Sequence, residues 1–326
     1  MIATTAPDIT HDGERVSPDV PNVLFVAHLS IYRFAGAWTA GKRVLDAGCG
    51  TGYGAAWLAD HGAAFVCGVD VDPAAVQHAR ASAGRACVTF EEADLAHIDD
   101  VPAPDGGWDV VVSSNALEHV WGVDGFLRGV WSRLAPDGTL VVAVPGVFDA
   151  ASRVLQMANP YHLNIWSPEQ WAHAIGLWFA EVTPYRHWLA RADMVFDPAV
   201  DAAAVGLTEA DFHFAPLGPT ERRAPTLTHV FVATRPRPAA DVPAAGAPLP
   251  FIDRSFSRRP PRLTPLPPDE ARANVPAAVR RLPAKAIRML RARGVAALLA
   301  EIRRSVLWRV RRRYALALLR PSERGR

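Results

Sequence analysis

The chain has 326 residues, half of them apolar, enough to bury a core larger than that of one average domain. Its net charge of +2 is unevenly spread: residues 1–235 hold 14 Lys+Arg against 27 Asp+Glu, and residues 236–326 hold 21 against 6. The acidic front disfavours a catalytic face for nucleic acid, three scattered cysteines argue against a disulfide frame or a zinc cluster, and no apolar run reaches the ~18 residues that span a bilayer.

Residues 1–21 read as a flexible lead, polar and broken by Pro7 and Pro18, with no signal-peptide pattern; with the reduced cysteines this predicts a cytoplasmic protein. Apolar residues at helical spacing predict a helix over 23–38 that carries Tyr32, a residue placed either to cover a ligand or to pack. The run Val44-Leu45-Asp46-Ala47-Gly48-Cys49-Gly50-Thr51-Gly52-Tyr53-Gly54 then reads as a buried strand, a glycine turn and a helix start. Glycine accepts positive φ and has no Cβ, so Gly48, Gly50 and Gly52 let backbone approach a ligand while the helix N-terminus offers its N–H groups. A dinucleotide fingerprint wants Gly-x-Gly-x-x-Gly, and its sixth position is occupied by Tyr53. Asp46, two residues before Gly48, repels a pyrophosphate and attracts a ligand bearing an ammonium and a sulfonium. The pair favours S-adenosylmethionine over NAD and makes a dehydrogenase the distant alternative.

On these residues the chain resembles the class I S-adenosylmethionine-dependent methyltransferases, whose first motif is Asp-x-Gly-x-Gly-x-Gly. The resemblance covers residues 25–235 and implies a Rossmann-like seven-stranded sheet with helices on both faces. The segment from His28 to Ala35 is similar to a helix in type 11-like members associated with glycan and natural-product pathways, departing from them at Ile31, where they commonly have Arg.

The run over 65–73 reads as a buried strand ending in acids, of which Asp70 is placed to accept two hydrogen bonds from ribose hydroxyls, with Val71 beside it; Asp72 caps the next helix with Pro73 at its first position. After a strand from Cys87, the resemblance implies that Asp94 meets the adenine amino group and the backbone at Leu95 meets the ring. The fourth strand delivers Ser114-Asn115-Ala116-Leu117-Glu118-His119, similar to a family motif with a Leu-Glu-His core and unlike the Asn-Pro-Pro-Tyr type of nucleic-acid amino-methylating enzymes. Asn115 contacts either the methionine moiety or the acceptor; His119 is either a general base or a packed residue of the following helix. The fifth strand follows Pro136-Asp137-Gly138. Ser167, Pro168 and Gln170 start a capped helix. The resemblance implies a histidine near the acceptor, and His162 is either the base that takes a hydroxyl proton or a loop anchor. Strands over 179–185 and 228–234 complete the sheet, and the aromatic-rich insert between them is either an acceptor wall or extra packing.

Eleven prolines among residues 236–276 predict a linker. Residues 277–326 read as a basic amphipathic helical tail, its second helix approaching 40 Å at ~1.5 Å per residue. Such a tail suits anionic lipid at the inner membrane face, the protein's own acidic part or a protein partner, or nucleic acid, the least favoured of these. Domain 22–235 is thus read as a methyltransferase that adds a methyl to a sugar or other small-molecule hydroxyl, with no metal. The alternatives are a natural-product enzyme with a soluble acceptor and a silent adaptor that recruits partners through its tail.

Overall fold

The computed structural model describes residues 16–159, 161–218, 221 and 224–244; the basic tail and most of the proline-rich linker lie outside them. Helix α1 (Val23–Thr39) leads into β1 (Arg43–Ala47), α2 (Tyr53–Asp60), β2 (Phe65–Asp70), α3 (Pro73–Ser82), β3 (Val88–Glu92), β4 (Trp108–Ser114), α4 (Val123–Arg133), β5 (Leu134–Pro145), α5 (Ala150–Ala158), α6 (Pro168–Gly176), β6 (Phe179–Leu189), β7 (Phe212–Pro216) and β8 (Thr228–Pro236). A 3-10 helix, Leu95–Asp100, stands between β3 and β4.

The strands form one sheet in the order β3-β2-β1-β4-β5-β8-β6-β7, parallel from β3 through β5 and antiparallel beyond. Eight strands replace the seven expected. The additional one, β7, comes from the aromatic insert and pairs with β6 from Tyr185↔Pro216 to Leu189↔Phe212. Phe214 stacks on Phe34 of α1 with ring centroids 4.4 Å apart, and buried Phe212 joins Val23, Val26 and Ala27 in a core under α1. The insert therefore packs at the sheet's far edge, and none of its described residues reaches the cleft described below.

Alternation along the strands divides the core into two layers. Leu45, Ala47, Val111, Leu140, Val142 and Val144 face the layer completed by α4 and α6, whereas Val44, Val110, Val112, Val141 and Ala143 face α1, α2 and α3. Both faces of β5 are buried, so its Val-rich run is continuous and not alternating. Helix starts follow their caps. Asp72 accepts from Ala74 N–H ahead of Pro73, and Ser167 and Gln170 close a capping box with Pro168 at the first position.

β1 sits between β2, which follows it in sequence, and β4, so the connections leave β1 in opposite directions. Open α/β sheets bind ligands outside the carboxyl ends of the strands at such a switch point, here the ends of β1 and β4. Both strands end in turns that cannot be ordinary: Gly48 at φ +86° after β1, and Asn115 at φ +50° after β4.

Candidate functional site

A cleft of about 500 Å³ opens at that switch point. Its floor is the glycine turn. A Cβ on Gly48 would lie 2.5 Å from Ala116 Cβ, so glycine there lets the β1 and β4 turns touch; a Cβ on Gly50, at φ +53°, would meet nothing within 4 Å, so that backbone faces open space. Gly52 behaves differently. It is the N-cap of α2 at φ +81°, a Cβ on it would enter Ala79, Phe90 and Ala83, and it does not line the cleft. Its glycine serves packing, so only two of the three predicted glycines face the ligand side.

Asp70 lines the cleft from the end of β2 and is held by the turn opposite: Gly50 N–H donates to Oδ2 at 2.9 Å and Asp72 N–H to Oδ1 at 3.0 Å. Each oxygen keeps a lone pair for a ligand hydroxyl. Val71, 64% exposed, and buried Leu95 give the same wall an apolar surface for a flat ring. Asp94 lies beside them, capping the 3-10 helix through Ala96 N–H at 2.9 Å and standing 3.4 Å from His97 Nδ1. Asn115 also lines the cleft; its left-handed backbone is pinned by its N–H on the Ala143 carbonyl at 2.8 Å. Strained backbone of this kind costs about 1–3 kcal/mol and concentrates at functional sites.

Asp46 is placed otherwise than expected. It shares the strand face of Val44, turned towards α1, and is fully buried beneath the turn, not lining the cleft. Tyr32 of α1 donates its hydroxyl to Asp46 Oδ1 at 3.0 Å, while Oδ2 has no hydrogen-bond partner. Burial above all, with the nearby charge of Asp70, pushes the Asp46 carboxyl up to about 7 against the pull of the Tyr32 hydrogen bond and a backbone bond at Ala55. Tyr32 itself packs: a Cβ on Gly54 would sit 2.0 Å from its ring, so the ring occupies the space that glycine leaves.

The far wall joins two segments 42 residues apart. Leu163 and Asn164 N–H groups donate to the Glu118 carbonyl at 2.7 and 3.0 Å, and Asn164 Nδ2 donates to the Leu117 and Val120 carbonyls, both at 2.7 Å. This brings His119 and His162 together with ring centroids 5.0 Å apart. Their chemistry is separated by their partners. Asn159 Oδ1 accepts from Tyr161 N–H at 3.0 Å, which fixes Nδ2 as the atom 2.9 Å from His162 Nε2; that nitrogen is therefore the acceptor. His162 is buried, outside the cleft lining, with this lone pair committed to the loop. His119 lines the cleft, and because the Tyr161 carbonyl 3.1 Å from Nδ1 must accept, its Nε2 carries the lone pair. Glu118 Oε1 stands 3.7 Å from that Nε2.

Glu118, His119 and His162 are also close enough to be considered as a metal group. The bond from Asn159 occupies one of the two His162 nitrogens and leaves the proton on the other, so in this arrangement the group does not offer three donors to a cation. Sequence reasoning missed Trp121, Tyr161 and His28, which line the cleft as well. An aromatic directly after the Leu-Glu-His turn, and one beside a predicted active histidine, were the available signals.

The parallel sheet, its switch-point cleft and the acid at the end of β2 define a nucleotide-cofactor-binding α/β domain. Residues 44–138 match the family described as a methyltransferase domain. A "Probable S-adenosylmethionine-dependent methyltransferase" of Mycolicibacterium smegmatis is 36% identical over 46% of this chain and 57% of its own length. One of the same description from Mycobacterium tuberculosis is 35% identical over 49% of this chain and 57% of its own length. The chain thus spans a little over half the length of these curated relatives. Among solved structures, an S-adenosylmethionine-dependent methyltransferase from Mesorhizobium loti has a TM-score of 0.43 at 22% identity, over 64% of this chain and 97% of that one. Over residues 44–138 the chain is thus similar to methyltransferase domains, and the relatives it matches are described as S-adenosylmethionine-dependent.

Proposed function

We propose that the protein transfers a methyl group from S-adenosylmethionine to a hydroxyl of a sugar or another small molecule. The observation that carries this reading is Asp70, whose two oxygens are each held by one backbone N–H and still turn a lone pair to the cleft. The open face at Gly50 and the orphaned Oδ2 of Asp46 suit the same cofactor, one a close backbone approach and the other a nearby cation. Asp70 would take the ribose hydroxyls, Asp94 and the Leu95 backbone the adenine, Val71 its face, and Gly48, Gly50 and Asn115 the methionine end, with Asp46 acting through the floor.

When bound, S-adenosylmethionine supplies an already activated methyl on a sulfonium, so the protein contributes alignment and removal of the acceptor proton. His119 Nε2, on the cleft wall, receives that proton as the acceptor oxygen becomes nucleophilic. His162, the other candidate base, holds Asn159 through its Nε2, and the Tyr161 carbonyl beside it orients His119. Titration calorimetry tests the cofactor assignment: Asp70→Asn and Asp70→Ala should each lose measurable S-adenosylmethionine binding, and unchanged affinity in both overturns it.

The sugar acceptor rests on the likeness of the α1 segment to glycan-associated methyltransferases. No described helix is long and apolar enough to cross a membrane. The 15 Lys+Arg against 2 Asp+Glu of residues 277–326 support peripheral contact with an anionic membrane, where each basic residue contributes about 1 kcal/mol. Full-length protein should sediment with anionic vesicles at low salt, and failure to do so removes that contact.

A further inference from the structure

We infer that Trp121 and Tyr161 form the acceptor-binding platform and select a neutral ring over an anionic acceptor; this rests on the methyltransferase reading above. Trp121 is 48% exposed, more than any other described tryptophan, and lines the cleft two residues from His119. Leaving about half of so large an apolar group in water forgoes favourable burial. Nor is it a floppy surface residue. Its turn is gripped from behind by Asn164 on the Leu117 and Val120 carbonyls and released by Gly122 at φ +105°. Tyr161 enters the same cleft with its N–H on Asn159 and its carbonyl on the His119 ring. One hydrogen-bond network thus holds the backbone that carries Trp121 and Tyr161 and the ring of His119, as a preorganised binding site requires.

The charge of the cleft narrows the ligand. Its only charged lining groups besides histidine are Asp70 and Asp94, and no lysine or arginine lines it among the described residues. A carboxylate or phosphate acceptor would find no lysine or arginine among the described lining residues to hold it. A pyranose suits the site better: its apolar C–H face lies against an aromatic ring while its hydroxyl edge points to His119 Nε2. trans-Aconitate, a small tricarboxylate, is the contrasting anionic probe.

The test uses the full chain labelled with 5-fluorotryptophan, observed by fluorine NMR with and without saturating S-adenosylhomocysteine, the Trp121 signal being identified by its loss in Trp121→Phe. Methyl hexopyranosides should shift that signal saturably, and trans-aconitate should not. In methyl transfer to the same glycosides, Trp121→Ala should raise KM about tenfold with kcat little changed, and Trp121→Phe should restore most of the loss. An unmoved signal with every glycoside, a shift by trans-aconitate, or a shift by phenol alone overturns the platform. Absence of S-adenosylhomocysteine binding by calorimetry would instead defeat the methyltransferase reading, and the titration without it would still report on Trp121.

Discussion

Replacing Asp46 by Asn isolates the cost of an ionised carboxylate under the glycine turn. The native carboxyl titrates at about 7 against a usual value of 3.8, so in the folded protein it holds its proton over a range where the unfolded chain has lost it. Folding stability is therefore full below about 4, falls as pH rises through this window, and levels off above about 7. About three pH units at about 1.4 kcal/mol each give a total loss of about 4 kcal/mol. Asparagine keeps an acceptor for the Tyr32 hydroxyl and never ionises. Its amide at the orphaned Oδ2 position adds an offset, but an offset independent of pH. Between pH 5 and pH 8 the variant's stability relative to the native protein should rise by about 3 kcal/mol, or about 6–12 °C in Tm at about 2–4 °C per kcal/mol. Thermal unfolding followed by circular dichroism across that range measures it. Two parallel curves would refute the buried, ionising Asp46. Calorimetry on the same protein should find weaker S-adenosylmethionine binding at pH 8, since the orphaned charge has gone.

The turn glycines should part company. Gly48→Ala meets Ala116 Cβ at 2.5 Å and should lose about 1–3 kcal/mol of stability by denaturant unfolding, whereas Gly50→Ala points into open space and should lose only about 1 kcal/mol while blocking the cofactor, seen as lost binding. For the histidines, His119→Gln should lower kcat by about 10²-fold or more with little change in Tm, and His162→Gln should lower Tm first by disturbing the Asn159 bond; the reverse pattern would return the proton acceptor to His162. Exhaustive treatment with a chelator should leave methyl transfer unchanged, and a loss restored by a divalent cation would show that Glu118, His119 and His162 act as ligands after all.

Local order was legible wherever one segment contains its own instructions. The strand, the glycine turn and the helix after it are adjacent in sequence, and positive φ at Gly48, Gly50 and Gly52 follows from residues that tolerate it. Asp70 and Asp72 were separable for the same reason, since a cap three bonds from its own backbone needs no distant partner. What each group finally touches was not legible. Asp46 sits in the family motif, yet its partner is Tyr32, 14 residues earlier, and burial above all sets its titration. Strand alternation places Asp46 on the face of Val44, but only the docking of α1 shows that this face is closed.

The same division holds for the rest of the site. The sequence by itself determined a parallel α/β sheet with acids and glycines at the carboxyl ends of its strands, because period, punctuation and capping are short-range properties. Only the tertiary structure decided that the insert supplies an eighth strand, since strand pairing at an edge depends on an available neighbour, β6, and on Phe34 to cover Phe214. Only it distinguishes the surroundings of His119 and His162. The Tyr161 carbonyl beside His119 Nδ1 and the Asn159 amide beside His162 Nε2 are set by the packing of a loop 42 residues away from the turn it holds.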